Sequence, residues 1–171
     1  MWQWSDIRQE FYLHQCIVKQ PDLNYRNPNV VEEMKNVLLF WLDKGVDGFR
    51  IDAIPHIFET VNEDGSYSDE PISGLTNDTT AINYTKRMYT RDLQETYDLT
   101  YSWRELMDQY KKDHGGNTRV LMTEAYGTLE VQLKYYGDSS GRKGAEVPFN
   151  FGSTFRCCLV SQSHTMAKSW Q

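Results

Sequence analysis

The strongest constraint on the fold of this 171-residue chain is a repeated alternation of helix and strand signals. Three helical segments are each followed by a short strand-like segment, and the strands are predicted at 46–52, 119–124 and 145–151. Strands that alternate with helices in this way pair in parallel. The sequence therefore predicts an α/β protein built from parallel βα units.

Helix starts and stops come from capping residues, from proline in a first turn and from glycine after a last turn. A long polar stretch with glycine and proline predicts a loop of a length that is usually functional. The predicted elements between the strands are, in chain order, a helix from Asn27-Pro28 to Gly45, a loop over 57–80, a helix within 85–97, a helix from the capping box Ser102–Glu105 to Gly115-Gly116, and a helix over 128–136.

Composition and missing motifs exclude several classes of function. The net charge of −6, with no basic stripe, makes nucleic acid a poor partner. No run of about 18 apolar residues occurs, so no membrane-spanning segment is predicted. No G-x-G-x-x-G or Walker spacing follows a strand, which argues against nucleotide binding. His56 and Glu59 have helical metal-ligand spacing but no third ligand, so no metal or other cofactor is expected here.

The first two predicted strands each end in a carboxylate. Because side chains alternate along a strand, Gly48, Arg50 and Asp52 share one face of the first strand. Glu124 is the last residue of the second strand. Ligands bind parallel α/β folds at the carboxyl ends of the strands. We therefore expect the two carboxylates to lie at the same end of one sheet.

Two neighbouring carboxylates and an arginine are suited to hydrolysis of a glycosidic bond. One carboxylate must be ionised to attack the anomeric carbon, and the other must be protonated to release the leaving oxygen. Arg50 is placed to keep Asp52 ionised. Apolar and aromatic neighbours, Ala125 and Tyr126 among them, are expected to raise the pKa of Glu124. The alternative is a structural Arg50–Asp52 ion pair beside an ordinary surface glutamate.

Three motifs resemble the α-amylase superfamily (glycoside hydrolase family 13), and within it the insect maltases. Residues 48–56 (GFRIDAIPH) resemble its nucleophile strand, and residues 123–126 (TEAY) its acid/base strand. Residues 20–24 (QPDLN) resemble a motif of its oligo-1,6-glucosidase and maltase branch. The resemblance implies an α-glucosidase that removes α-1,4-linked glucose from maltose, oligosaccharides or sucrose, with retention through a covalent glucosyl-enzyme.

The resemblance also implies roles for individual residues. Asp52 matches the nucleophile and Glu124 the general acid/base, and Arg50 matches the arginine that orients the nucleophile. His56 matches a position that contacts sugar hydroxyls, with a structural histidine as the alternative. Phe149 is a candidate for lining the sugar site, with core packing as its alternative.

The family fold implied is a (β/α)8 TIM barrel, of which this chain carries about strands four to six. Residues 1–26 are expected to be the end of the inserted domain B, and residues 27–171 the central part of the barrel. The third catalytic carboxylate and any calcium ligands are expected outside this segment. We therefore expect a fragment that is inactive alone.

Secretion is expected from two glycosylation triplets, which begin at Asn77 and Asn83. The predicted location is secreted, or extracellular with the parent protein attached to a membrane. The pairing of Cys16 and the adjacent Cys157-Cys158 is left open. A rival interpretation is the non-catalytic glycoprotein subunit of an amino-acid transporter, which resembles these glucosidases but commonly lacks the catalytic residues.

Overall fold

The computed structural model describes residues 2–149 except Thr80 and Ile82. Its elements are β1 (Trp2–Ser5), β2 (Glu10–Leu13), α1 (Pro28–Asp43), β3 (Gly48–Ile51), a 3-10 turn (Ile54–His56), α2 (Gln94–His114), β4 (Val120–Thr123), α3 (Leu129–Tyr136) and β5 (Val147–Pro148). The alternation of helices and strands from α1 to β5 confirms the predicted α/β class.

The chain forms two compact units. Among the described residues, the first contains 2–46 together with Ile54–Leu99, and the second contains Asp47–Ala53 together with 100–149. These units are defined by their compactness, whereas the boundary predicted at residue 26 separates an inserted domain from the barrel. That predicted boundary stays a prediction. No helix in the part of the chain described here is long and apolar enough to cross a membrane.

The first unit begins with an antiparallel hairpin that the sequence did not predict. Trp2 pairs with Leu13 and Ser5 with Glu10, so β1 and β2 are in register over their whole length. The loop predicted over 57–80 contains no helix or strand among its described residues. Asn77 and Asn83 are both exposed, which a glycan requires; their modification stays a prediction.

Helix α1 begins and ends where the sequence predicts. The side chain of Asn27 accepts a hydrogen bond from the amide of Asn29 at 3.0 Å, and Pro28 occupies the first turn. Gly45 follows the helix with φ of +89°, a left-handed conformation that only glycine adopts without strain. The turn leads directly into β3.

The two helices predicted before β4, within 85–97 and from Ser102 onward, are one continuous helix. No helix begins in the described residues between 85 and 93, and α2 runs unbroken from Gln94 to His114. Ser102 therefore lies inside this helix and does not cap it. The helix continues because its neighbours Tyr101 and Trp103 are each only 2% exposed, and their burial outweighs the local capping signal. The predicted stop is confirmed, with Gly115 directly after the helix.

The second unit contains a parallel sheet of order β3-β4-β5. Gly48 opposes Val120, and a Cβ at Gly48 would lie 2.3 Å from the Val120 carbonyl oxygen, so this close pairing requires glycine. Leu121 and Thr123 on β4 are fully buried. The third strand is shorter than predicted, at Val147–Pro148, and the end of its predicted range lies outside the described residues.

Candidate active site

The parallel pairing of β3 and β4 places Asp52 and Glu124 side by side. The last paired residues are Ile51 and Thr123, and the amide of Glu124 donates to the Ile51 carbonyl at 2.9 Å. Asp52 and Glu124 follow these residues directly, at the carboxyl ends of the two strands. The predicted convergence of the two carboxylates is therefore present, and it lies wholly within the second unit.

One nitrogen of Arg50 contacts both carboxylates. Its Nη2 lies 2.7 Å from Oδ1 of Asp52 and 2.7 Å from Oε2 of Glu124. The side chain of Asp52 is 72% exposed, whereas that of Glu124 is 15% exposed. Arg50 is therefore a shared partner, where the sequence predicted a partner of Asp52 alone.

Glu124 receives two further donors. The hydroxyl of Tyr126 donates to Oε1 of Glu124 at 2.8 Å, and the amide of Ala53 donates to Oε2 at 3.4 Å. Ala53 reaches this position with φ of +47°, a left-handed conformation that is strained for a residue with a side chain. The turn after β3 thus directs a main-chain donor at the carboxylate of the neighbouring strand.

The pKa shifts of the two carboxyl groups run in the opposite directions to those predicted. A hydrogen bond between them raises the pKa of Asp52 and lowers the pKa of Glu124. The Tyr126 hydroxyl lowers the pKa of Glu124 further, because it stabilises the anion. The apolar surroundings expected to raise the pKa of Glu124 are outweighed by these donors.

Phe149 also belongs to this cluster. The guanidinium carbon of Arg50 lies 5.6 Å from the centroid of the Phe149 ring, within the range of a cation–π contact. The amide of Phe149 donates to the Thr123 carbonyl at 2.9 Å, which fixes the chain beside β4. The half-buried ring thus packs against the arginine that bridges the two carboxylates.

His56 lies in the first unit, in the 3-10 turn. Its carbonyl accepts from Nε2 of Gln15 at 2.8 Å, and burial, with Arg87 and Arg91 nearby, lowers the pKa of its half-buried imidazole. Its predicted contact with sugar hydroxyls stays a prediction. No group of three metal-ligating side chains occurs among the residues that the structure describes.

The sequence interpretation missed the partners of Glu124. It also missed a buried carboxylate in the first unit. Tyr126 stands two residues after Glu124, the spacing that puts two side chains on one face of an extended segment, and this signal was available. In the first unit Glu59 is 9% exposed and accepts from Nε2 of Gln15 at 2.8 Å. Burial raises the pKa of Glu59. It borders a cavity of about 510 Å³ whose wall includes Trp2 and Tyr67.

The comparisons with known proteins agree with these features. The alpha-amylase family, described as alpha amylase, catalytic domain, matches residues 1–170. Maltase A2 of Drosophila melanogaster is 53% identical over 151 residues, which make up 88% of this chain and 26% of that protein. Salivary alpha-glucosidase of Aedes aegypti is 51% identical over 150 residues, 88% of this chain and 26% of that protein.

A solved structure and a more distant relative extend the comparison. The crystal structure of the alpha-glucosyl transfer enzyme XgtA matches with a TM-score of 0.68 and 28% identity, over 88% of this chain and 27% of that one. An amino acid transporter heavy chain of Homo sapiens is 36% identical over 154 residues, 87% of this chain and 22% of that protein.

This chain spans about a quarter of the length of the curated relatives that it matches. Its three parallel strands are part of a (β/α)8 barrel, and the chain belongs to the alpha-amylase catalytic-domain family.

Proposed function

We propose that this chain supplies the nucleophile and the acid/base of a retaining α-glucosidase that hydrolyses α-1,4-linked glucose from maltose and related α-glucosides. The observation that carries the proposal is the single Nη2 of Arg50 at 2.7 Å from both Asp52 and Glu124. Two carboxyl groups held beside one cation can carry one proton between them, and so provide the one acid and one anion that glycoside hydrolysis requires.

The chemistry proceeds in two displacements at the anomeric carbon. Asp52 attacks that carbon while Glu124 gives its proton to the departing glycosidic oxygen, so a glucosyl ester forms on Asp52. Glu124, now ionised, takes a proton from water, and the resulting hydroxide displaces Asp52 and regains the original configuration. The first step requires that the pair begin with one proton, held by Glu124, and the second step returns a proton from water to Glu124.

Substrate entry must break the hydrogen bond between the two carboxyl groups. In retaining enzymes these groups are about 5–5.5 Å apart, with the reacting bond between them. The direct hydrogen bond is the largest cause of the raised pKa of Asp52, and Arg50 opposes it. Once a sugar separates the pair, Arg50 keeps Asp52 ionised and the proton passes to Glu124. The proposal thus reconciles the directions of the two pKa shifts with the assigned roles.

The names of the relatives support the proposed substrate class, and two exposed glycosylation triplets support an extracellular location. A maltase and a salivary alpha-glucosidase are the named relatives, and both names describe action on α-glucosides. We propose an extracellular protein, either free or attached to a membrane, with glycans on the exposed Asn77 and Asn83. No cofactor takes part in the proposed chemistry.

The rival function is a non-catalytic subunit of an amino-acid transporter. A heavy chain of such a transporter is 36% identical to this chain, compared with 53% for the maltase. A subunit of that kind does not need an arginine bridging two carboxylates at the ends of neighbouring strands. The arrangement of Arg50, Asp52 and Glu124 therefore favours the enzyme.

The test uses alanine variants of the complete protein with p-nitrophenyl α-glucoside and added azide. Asp52→Ala and Glu124→Ala should each reduce turnover by at least about 1,000-fold. Azide should rescue Glu124→Ala with α-glucosyl azide as product, because it replaces water in the second displacement. It should rescue Asp52→Ala with the β-azide, because it replaces the nucleophile.

The same assay includes two further samples. Arg8→Ala is a surface control, because Arg8 forms only an exposed ion pair with Glu10 at 3.6 Å. The isolated chain of residues 1–171 should hydrolyse nothing, since the third catalytic carboxylate is expected outside it. Near-normal turnover in either alanine variant, or azide products of the opposite configuration, would overturn the assigned roles.

A further inference from the structure

We infer that Tyr126 is a positioning residue for Glu124, one that stays hydrogen-bonded to this side chain in both of its protonation states. The inference rests on the proposed function, because it concerns how Glu124 serves first as an acid and then as a base. Its starting point is the 2.8 Å hydrogen bond from the Tyr126 hydroxyl to Oε1 of Glu124.

The three donors described above that contact Glu124 differ in what they can do. The guanidinium of Arg50 and the amide of Ala53 only donate hydrogen bonds, and both contact Oε2. A hydroxyl can donate to a carboxylate and can also accept from a carboxylic acid. Tyr126 therefore offers Glu124 a partner when it is ionised and when it is protonated.

This difference matters because Glu124 changes its charge twice in each turnover. A proton on Oε2 would compete with two donors, Arg50 and Ala53, that already point at this oxygen. A protonated Oε1 faces a hydroxyl that rotates to accommodate it. The geometry thus assigns the transferable proton to Oε1, with Tyr126 holding the carboxyl plane in one orientation throughout the cycle.

Few charged or titratable groups surround Glu124 in the part of the chain that the structure describes, so the effect of Tyr126 on its pKa can be measured. The titratable and charged groups facing it are Arg50 and Asp52 from β3 and the turn after it, and Tyr126 on its own segment. Of these, Tyr126 is neutral over the working pH range, because its hydrogen bond to Glu124 raises its pKa above 10. Removing its hydroxyl changes hydrogen bonding without changing net charge.

The experiment compares Tyr126→Phe with the wild type in the complete protein. With maltose, whose leaving group needs the acid, we expect kcat to fall about 10-fold with little change in KM. With p-nitrophenyl α-glucoside, whose leaving group needs less protonation, the fall should be smaller. The basic limb of the kcat/KM profile should move to higher pH, because Glu124 must be protonated in the first step and loses a donor that lowers its pKa.

Two further variants separate positioning from folding. Tyr136→Phe removes the hydroxyl of another half-exposed tyrosine, in α3, and should match the wild type in rate and pH profile. 3-Fluorotyrosine at position 126 keeps a hydroxyl and should restore kcat with maltose. Because Tyr126 is 44% exposed, we expect all of these variants to fold, and thermal melting checks this.

The outcomes distinguish this inference from the proposed function. If Glu124→Ala abolishes activity but Tyr126→Phe has the kcat and pH profile of the wild type, the role of Tyr126 is wrong and the proposed function stands. If Glu124→Ala keeps its activity, the proposed function itself has failed. A kcat that 3-fluorotyrosine does not restore would also contradict positioning through the hydroxyl.

Discussion

Glu59 and Glu124 are the same type of residue in two regions of this molecule, but their hydrogen-bond partners and the directions of their pKa shifts differ. Glu59 lies in the first unit, is 9% exposed, and its carboxylate accepts from a neutral amide of Gln15. Glu124 lies in the second unit, where a guanidinium, a hydroxyl and a backbone amide converge on it. Burial raises the pKa of Glu59, whereas hydrogen bonding lowers the pKa of Glu124.

The comparison teaches that donors, and not apolar neighbours in sequence, decide the protonation of a carboxyl group. Both glutamates stand next to aromatic or apolar residues, Glu59 after Phe58 and Glu124 before Ala125. The Nε of Arg26 donates to the main-chain carbonyl of Glu59 at 2.8 Å. The carboxylate of Glu59 accepts its hydrogen bond from Gln15. The rise in pKa that sequence reasoning assigned to Glu124 is found at Glu59.

Removing the cation from the Glu124 region should have the largest effect. In Arg50→Ala both carboxylates lose a charge-assisted hydrogen bond, and we expect kcat/KM to fall by at least about 100-fold. Because Arg50 lowers the pKa of Asp52, the remaining activity should have its optimum at higher pH. Steady-state kinetics across pH measure both effects, with Arg8→Ala as the surface control.

The Arg50→Ala measurement tests whether the cation accounts for the difference between Glu124 and Glu59. If Arg50→Ala kept the kcat/KM and pH optimum of the wild type, the shared cation would not govern the two carboxyl groups. The site would then be an ordinary ion pair at the end of two strands, which is the alternative that the sequence left open.

Neutralising Glu59 should have a smaller effect, on stability. Its folded-state pKa is raised, so the stability it contributes is complete below the ordinary carboxyl pKa and is lost as pH rises through the folded-state value. Glu59→Gln keeps the oxygen that accepts from Gln15 and removes this loss. We expect its melting temperature to equal that of the wild type in acid and to exceed it at neutral pH.

Glu10→Gln is the matched control, because Glu10 belongs to an exposed pair and should follow the wild type at every pH. Thermal melting of the complete protein across pH measures the difference. A Glu59→Gln variant that is less stable than the wild type at neutral pH would show that the carboxylate is stabilised where it lies, and the contrast with Glu124 would disappear.

The sequence predicted the part of the site that follows from backbone periodicity. Alternation along β3 placed Arg50 and Asp52 on one face, and parallel pairing brought Glu124 alongside. These inferences succeed because they need only the strand period and the direction of the chain. The predicted stop of α2 and the start of α1 succeed for the same reason, since Gly115 and Asn27 act locally.

The sequence failed where long-range packing decides the outcome. The capping box at Ser102 lies inside a helix because its neighbours are buried, which no local signal reveals. The pKa shift of Glu124 depends on where the Tyr126 hydroxyl and the Ala53 amide point. The spacing of Tyr126 indicates only that it shares a face with Glu124, whereas the direction of its hydroxyl follows from a side-chain rotamer and that of the Ala53 amide from a strained turn.

The central claim is that Asp52 forms the covalent bond to glucose while Glu124 acts as the general acid and base. Its most direct test is to treat the complete protein with an activated 2-fluoroglucosyl fluoride, whose fluorine slows hydrolysis of the ester, and to locate the added mass by peptide mass spectrometry. The account predicts a single sugar on the peptide that carries Asp52, and none on that peptide in Asp52→Asn. A sugar on Glu124 or on any other residue, or the absence of any labelled peptide, would contradict it.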